Sequence, residues 1–233
     1  KLIGWSETVK LAFRLIPDAI KLFRGIPKMV LLIEFNGATQ EEVTQKVHAM
    51  KMDMKEFGHE ALFEEDETEA KAKKFWIMRR ASFNLLRQKV KDKHTAPFMD
   101  DLIVQPHHLP EFLPKIREVI KKYNLLATIA GHMGDGNFHI IPLMNIENKG
   151  EKAKLEPAMK EITQIVLDYK GSLSGEHNDG MIRGPWLKQM YGEEVFGYFA
   201  RVKQIFDPKN IFNPHKKTDS EWSYSMSHLR EKF

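Results

Sequence analysis

The sequence predicts an α+β fold: a largely antiparallel sheet with helices layered on it, followed by a C-terminal helical segment. Three observations carry this expectation. Short apolar runs alternate with stretches whose apolar residues recur at helical spacing. Two of the runs, LLATIA and FHIIPLM, flank a glycine-rich turn, the pattern of an antiparallel hairpin. A composition of 42% hydrophobic and 29% charged residues over 233 positions is that of a globular chain able to bury a core.

Residues 1–28 hold six Lys/Arg against two Asp/Glu, which accounts for the whole net charge of +4. They read as a basic amphipathic helical segment, broken near Pro17, that packs on the rest or touches a membrane surface or partner. A charge excess so local gives no reason to expect a nucleic-acid partner. MVLLIEF (Met29 to Phe35) suits a buried strand ahead of the Asn36-Gly37 turn. Thr39 and Glu42 form a capping box for a helix with Val43, Val47, Met50, Met54 and Phe57 on one face. A second strand is expected near Ala61 to Glu64, then a long helix from about Thr68 to Val90 that carries Trp76, Arg79 and Arg80.

FMDDLIVQP reads as a strand, and Phe112, Ile116, Val119 and Tyr123 mark the next helix, with Pro110 in its first turn and Pro114 able to displace its start. After the hairpin, Leu155, Met159, Ile162, Val166 and Tyr169 form another helical stripe. GSLSGEHNDG is a glycine-flanked loop, a further helix holds Val195, Phe199, Val202 and Phe206, and DPKNIFNP is an irregular surface-crossing segment. The expected plan is therefore a helical segment over 1–28, one α+β domain over 29–190, a C-terminal helix and returning segment over 191–217, and a polar tail over 218–233, with residues 216–233 weakly ordered.

The chain contains no cysteine, which excludes disulfides, iron–sulfur ligation and a thiol nucleophile. Any metal must be held by His, Asp or Glu. With no run of 18 apolar residues and no signal-peptide pattern, a cytoplasmic location is expected, peripheral at the membrane if residues 1–28 make that contact.

GHMGDGNFH (131–139) sets two histidines about Asp135-Gly136, a dipeptide that favours a two-residue hairpin turn. In that register His132 lies opposite His139 on one face, with Cβ atoms roughly 4.5–5.5 Å apart, a chelating distance. Gly175-Glu176-His177, in a loop that can return to the same sheet end, adds a carboxylate and a third imidazole. Histidines near a glycine turn can also do no more than hydrogen-bond backbone, and the spacing alone leaves both readings open.

GHMGDGNFH, SGEHNDGMIRGPWLKQMYG and FDPKNIFNP, in this order, resemble the C-terminal half of the FAD-linked 2-hydroxy-acid oxidases and dehydrogenases. That family includes D-lactate dehydrogenase, the glycolate oxidase flavin subunit and D-2-hydroxyglutarate dehydrogenase. The resemblance covers most of residues 29–217 and implies a ferredoxin-like α+β cap, or substrate, domain over the flavin of a separate FAD-binding domain. It implies that His132, His139 and Glu176 bind a divalent metal, zinc foremost. His177 would be the base that takes the hydroxyl proton of a small D-2-hydroxy acid (D-lactate, glycolate or 2-hydroxyglutarate type) as hydride passes to FAD.

Arg79, with Arg80 as rival, would hold the substrate carboxylate, and Asn210 and Asn213 would face the flavin domain. The electron acceptor is left open. Two departures stand out. Asn178 follows the Gly-Glu-His motif where many relatives carry glycine; asparagine tolerates the left-handed backbone, so the loop is expected to survive. No glycine-rich dinucleotide-phosphate loop occurs in the chain, so FAD is expected to be held mostly by a domain absent here, earlier in a longer protein or on another chain. Two other functions fit the same residues: a non-catalytic metal-binding scaffold, and a zinc hydrolase using His132, His139 and Glu176 with His177 as base.

Overall fold

The computed structural model describes residues 30–56, 73, 76–77, 90 and 92–229. The expected strand at 61–64, Arg79 and Arg80, nearly all of the expected 68–90 helix, and the 1–28 segment lie outside the described residues. The chain divides into two compact units, residues 1–86 and 87–233, a boundary inside the 29–190 span expected as one domain. Among the described residues no helix is long and apolar enough to cross a membrane.

In the first unit, α1 (Gln40–Glu56) begins at the capping box. The Glu42 amide donates to Thr39 Oγ1 (3.2 Å), and Glu42 Oε2 accepts from the Ala38 amide (2.9 Å). The stripe Val43, Val47, Met50 and Met54 is half-buried. Of the strand expected over 29–35, residues 30–35 carry no strand among the described residues. Residues 30–37 join no ladder among the described residues, and Val30 is 79% exposed. A continuous apolar run has no period of its own, so its composition alone does not specify a strand.

The second unit is an antiparallel sheet built around one strand. β1 (His94–Thr95), β2 (Leu102–Ile103) and β3 (Leu126–His132) all pair with β4 (Asn137–Met144). β3 pairs with Asn137 to Leu143 along one edge of β4; β1 pairs with Leu143 and Met144, and β2 with Asn137 and Phe138, so these two short strands share the other edge. α2 (Leu109–Lys122) and α4 (Leu155–Asp168), the latter after the short α3 (Lys149–Lys152), pack together and bury Phe112, Ile116, Val119, Met159, Ile162 and Val166 with Phe138 and Ile140 of β4. Both helices fall on their predicted stripes, and Pro114 lies inside α2 without displacing its start. Because strand side chains alternate, covering Phe138 and Ile140 leaves Asn137, His139 and Ile141 on the opposite face.

Three other expectations need correction. FMDDLIVQP is not one strand: a 3₁₀ turn occupies Pro97–Met99, and Asp101 turns into the left-handed region (φ 66) before the two residues of β2. The tail is not loosely ordered throughout, since α6 (Trp222–Ser227) packs Trp222 edge-on against Trp186 and buries Ser225, whose hydroxyl donates to the Met181 carbonyl (2.7 Å). An aromatic anchor and a buried hydroxyl outweigh the polar composition around them.

The third concerns the hairpin register. His132 pairs with Asn137, and His139 with Ala130, because a 3₁₀ turn over Met133–Asp135 closed by Gly136 replaces the two-residue turn. Gly136 donates to the Met133 carbonyl and accepts from the Val104 amide, both at 3.1 Å, so the longer turn is tied to the chain leaving β2. The two histidines therefore sit on one face as diagonal neighbours.

Gly136 adopts φ +70, and a Cβ there would stand 1.8 Å from the Val104 carbonyl oxygen. Gly136→Ala should destabilise the protein by about 2 kcal/mol or more, from left-handed strain and the clash together. Urea denaturation checks this, and a change within about 0.5 kcal/mol would contradict the described turn.

Candidate metal centre

After α4 the chain comes back beside the sheet. Ile103 and Ser172 exchange backbone hydrogen bonds (3.0 and 2.9 Å), which lays residues 171–173 along β2 and delivers the Ser174 to His177 loop to Asp101. There the Asp101 carboxylate accepts from the backbone amides of Gly175 (2.9 Å), Glu176 (3.0 and 3.1 Å) and His177 (2.8 Å), from Ser174 Oγ (3.1 Å) and from Asn137 Nδ2 (3.1 Å). Successive amides converging on one anion form a nest that fixes the loop backbone. Gly175 is required by proximity, since a Cβ would lie 2.4 Å from Asn137 Nδ2. Asn178 closes the loop at φ 68, so asparagine does hold the left-handed position.

This loop carries Glu176 and His177 to the open face of the hairpin. Glu176 Oε1 lies 3.0 Å from His139 Nε2, 3.4 Å from His132 Nε2 and 3.4 Å from His177 Nε2. Ligand atoms around a tetrahedral ion with 2.0–2.1 Å bonds stand about 3.3 Å apart, so each of these three Glu176–imidazole separations, taken by itself, matches a pair of ligands on one centre. His139 is the most enclosed of the four side chains (13% exposed), whereas His132, His177 and Glu176 are 42–50% exposed, which leaves the centre open to a small molecule. A cavity of about 250 Å³ lined by Ile103, His132, Asp135, Asn137, Gly175 and Glu176 adjoins it.

Among the described residues, the group whose possible ligand atoms all lie within 4.8 Å of one another is Asp101, His139, Glu176 and His177; His132 is not part of it and meets the group through Glu176. Asp101 is nevertheless not a free ligand: it is fully buried, and both its oxygens are occupied by the donors above. Burial acts to raise its pKa but is outweighed by the amides of His177 and Glu176 and the side chains of Asn137 and Ser174, which together bring it to about 2.

The family of FAD linked oxidases, C-terminal domain, matches residues 5–217. The chain belongs to this family. It is 30% identical over 197 residues to glycolate oxidase subunit GlcD of Bacillus subtilis, 25% over 205 to D-2-hydroxyglutarate dehydrogenase of Escherichia coli, and 27% over 186 to mitochondrial D-lactate dehydrogenase [cytochrome] of Arabidopsis thaliana. These alignments cover 82%, 84% and 80% of this chain but only 40%, 20% and 32% of the respective relatives. The chain thus spans two fifths or less of the length of each.

Within this FAD-linked oxidase domain the structure brings His132, His139, Glu176 and His177 together. Asn210 and Asn213 lie elsewhere, on the loop after α5 (Leu187–Phe206). Both are left-handed, at φ 48 and 50, and the Asn210 side chain donates to Asp219 (2.8 Å). None of their hydrogen bonds reaches the histidines.

Four residues that matter here escaped the sequence reading: Asp100, Asp101, Asn137 and Arg183. Arg183 is buried and donates to the carbonyls of Asp100 (2.8 Å) and Asn178. Two adjacent aspartates inside an apolar run were the available signal, because buried carboxylates persist only with partners.

The sign of the Asp101 shift sets its pH dependence. A carboxyl held near 2 against an ordinary value of about 3.9 contributes on the order of 2 kcal/mol. That contribution is fully present above about pH 4 and is lost as pH falls through about 2. Asp101→Asn should remove this acid limb and lower stability at neutral pH by about 2–4 kcal/mol, because an amide cannot accept the whole set of amide donors. Urea unfolding measured as a function of pH would reveal both effects.

Proposed function

We propose that this domain is the substrate-binding part of an FAD-dependent 2-hydroxy-acid dehydrogenase or oxidase, and that His132, His139 and Glu176 hold a divalent metal, zinc foremost. The observation that carries the reading is the convergence of three imidazole Nε2 atoms on one carboxylate oxygen, on a sheet face left open to solvent. The donor set fits a divalent ion: two neutral imidazoles, one anionic oxygen and room for a further ligand. When bound, the ion would supply polarisation of the substrate hydroxyl, and FAD, mostly held by a separate domain, would accept the hydride.

The chain's own residues then divide the work. His177 Nε2 takes the hydroxyl proton as the C2 hydride leaves, and the product is the 2-oxo acid. Imidazole suits this step because its ordinary pKa lies near neutrality. Arg79, or Arg80, pairs bidentately with the substrate carboxylate. A D-2-hydroxy acid of lactate, glycolate or 2-hydroxyglutarate type suits such a grip, in keeping with the names of the relatives.

The partner flavin domain would dock on the C-terminal loop. Asp207 organises that loop by accepting from the amides of Ile211 (2.9 Å) and Phe212 (2.8 Å), which stand 66% and 67% exposed beside Asn210 and Asn213. A well-ordered loop with apolar tips in water suits burial against another domain.

In an FAD-containing protein that carries this domain, His177→Ala should leave metal content nearly intact and slow anaerobic flavin reduction by a 2-hydroxy acid about 100-fold or more. Glu176→Ala should lose metal and activity together, since the ion keeps only two imidazoles. If His177→Ala depletes the metal as fully as Glu176→Ala, His177 is a ligand and the proton acceptor lies elsewhere.

A further inference from the structure

The family match ends at residue 217, yet the chain beyond it packs on the domain. Trp222 of α6 lies edge-on to Trp186 (centroids 5.6 Å apart), and Met226 and Leu229 pack against the same core. This tail touches the turn that follows the Glu176–His177 loop. The Met181 carbonyl accepts from Ser225 Oγ (2.7 Å) and Ser220 Oγ (3.2 Å), and Lys217 Nζ lies 3.0 Å from Asp179 Oδ2. Gly184 completes the fit: the atoms nearest a Cβ added there are Ser220 Oγ (2.5 Å), Ser220 Cβ (2.6 Å) and the Lys217 backbone nitrogen (3.1 Å), all of the tail.

From inside that turn Arg183 reaches back to the site. Buried, it donates to the carbonyl of Asn178, the residue after His177, and to that of Asp100 (2.8 Å), whose carboxylate lies 3.0 Å from His139 Nδ1 and 3.5 Å from His177 Nδ1. Asp101 thus holds the loop at its entry, through the amides of residues 175–177, and Arg183 holds its exit. The tail has a second grip. Asp219 accepts from the Asn210 side chain (2.8 Å) and the His215 amide (2.9 Å), on the loop where the flavin domain would dock. We propose that residues 217–227 are a positioning brace that fixes the chain leaving His177 and ties it to the loop bearing Asn210 and Asn213. This role presupposes those given above to His177 and to that loop. A side chain that must meet a substrate proton needs its backbone held on both sides, because small misplacements of a reacting group are costly in rate.

Gly184→Ala tests the brace because the atoms nearest its methyl group belong to the tail, and Gly184 is not among the positive-φ residues, so no left-handed strain is added. The first readout is amide hydrogen exchange in the metal-free 233-residue chain. The Arg183 and Trp186 amides, which donate to the Asp179 and Arg183 carbonyls (3.1 and 3.0 Å), should exchange about 10-fold faster, with α2 and α4 within about twofold of wild type. Lys217→Met, at a half-exposed position, removes the pair with Asp179 and should act in the same direction by about threefold. Adding Ser220→Gly to Gly184→Ala makes room for the methyl group and should bring exchange back to within about threefold of wild type. In an FAD-containing protein that carries this domain, Gly184→Ala should lower the limiting rate of flavin reduction by a 2-hydroxy acid about 10-fold with zinc content unchanged, and Ser220→Gly should recover it.

Unchanged exchange at Arg183 and Trp186 in both single variants overturns the proposal. So does acceleration spread equally over α2 and α4, a rate of flavin reduction that Gly184→Ala leaves alone, or a failure of Ser220→Gly to recover what Gly184→Ala lost. Lys217→Met keeps the test decisive where Gly184→Ala does not fold. Exchange that follows the brace, in a protein whose wild-type form reduces its flavin with no 2-hydroxy acid, would retain the brace and remove the function proposed above.

Discussion

The site depends on one buried anion. Asp101 accepts the amides of three consecutive residues, Gly175, Glu176 and His177, and so converts a glycine-flanked loop into a fixed edge beside the hairpin. Loops carrying charged side chains are ordinarily mobile, and a donor set spread over a loop and a sheet keeps its spacing only if the loop backbone is held. Asn137 extends the tie to β4, since its side-chain amide donates to the same carboxylate, and the adjoining Arg183 is anchored on the Asp100 carbonyl. The left-handed turn at Asp101 is part of this arrangement: it ends the preceding segment and brings two adjacent aspartates to the site in different roles. Asp101 grips backbone, and Asp100 faces imidazole.

The division of the sheet into two faces follows from β4. Its even-numbered residues Phe138 and Ile140 are buried under α2 and α4, so the odd-numbered Asn137 and His139 occupy the opposite side, where no helix of the core covers them. A four-residue turn held by Gly136 then places His132 diagonally across from His139. The face that the core helices leave uncovered is the face to which the loop brings Glu176 and His177.

Much of this was legible in the sequence. The stripes at Phe112, Ile116 and Val119 and at Leu155, Met159, Ile162 and Val166 specify amphipathic helices because a 3.6-residue period has no other economical packing, and the structure places both helices there. The hairpin strands were equally clear. What sequence reasoning missed depends on tertiary partners. The run at 29–35 has the composition of a strand but no ladder partner among the described residues, and the exact turn at 133–136 is decided by a carbonyl and an amide of other segments. Asp100 and Asp101 were read as part of one strand, because the amides and imidazoles that satisfy them are more than 35 residues away in sequence. The clustering of His132, His139, Glu176 and His177 needed two loops to meet, and the motif resemblance supplied what spacing alone left open.

The central claim is that the family's domain, in this chain, builds one divalent metal centre from two hairpin histidines and a loop glutamate, with Asp101 held back as scaffold. Zinc-edge anomalous diffraction from crystals of the zinc-loaded protein tests it most directly. The account predicts a single strong peak within about 2.0–2.2 Å of His132 Nε2, His139 Nε2 and a Glu176 oxygen, with the Asp101 carboxylate still bonded to the 175–177 amides. A peak coordinated by Asp101, or one away from His132 and His139, would contradict it.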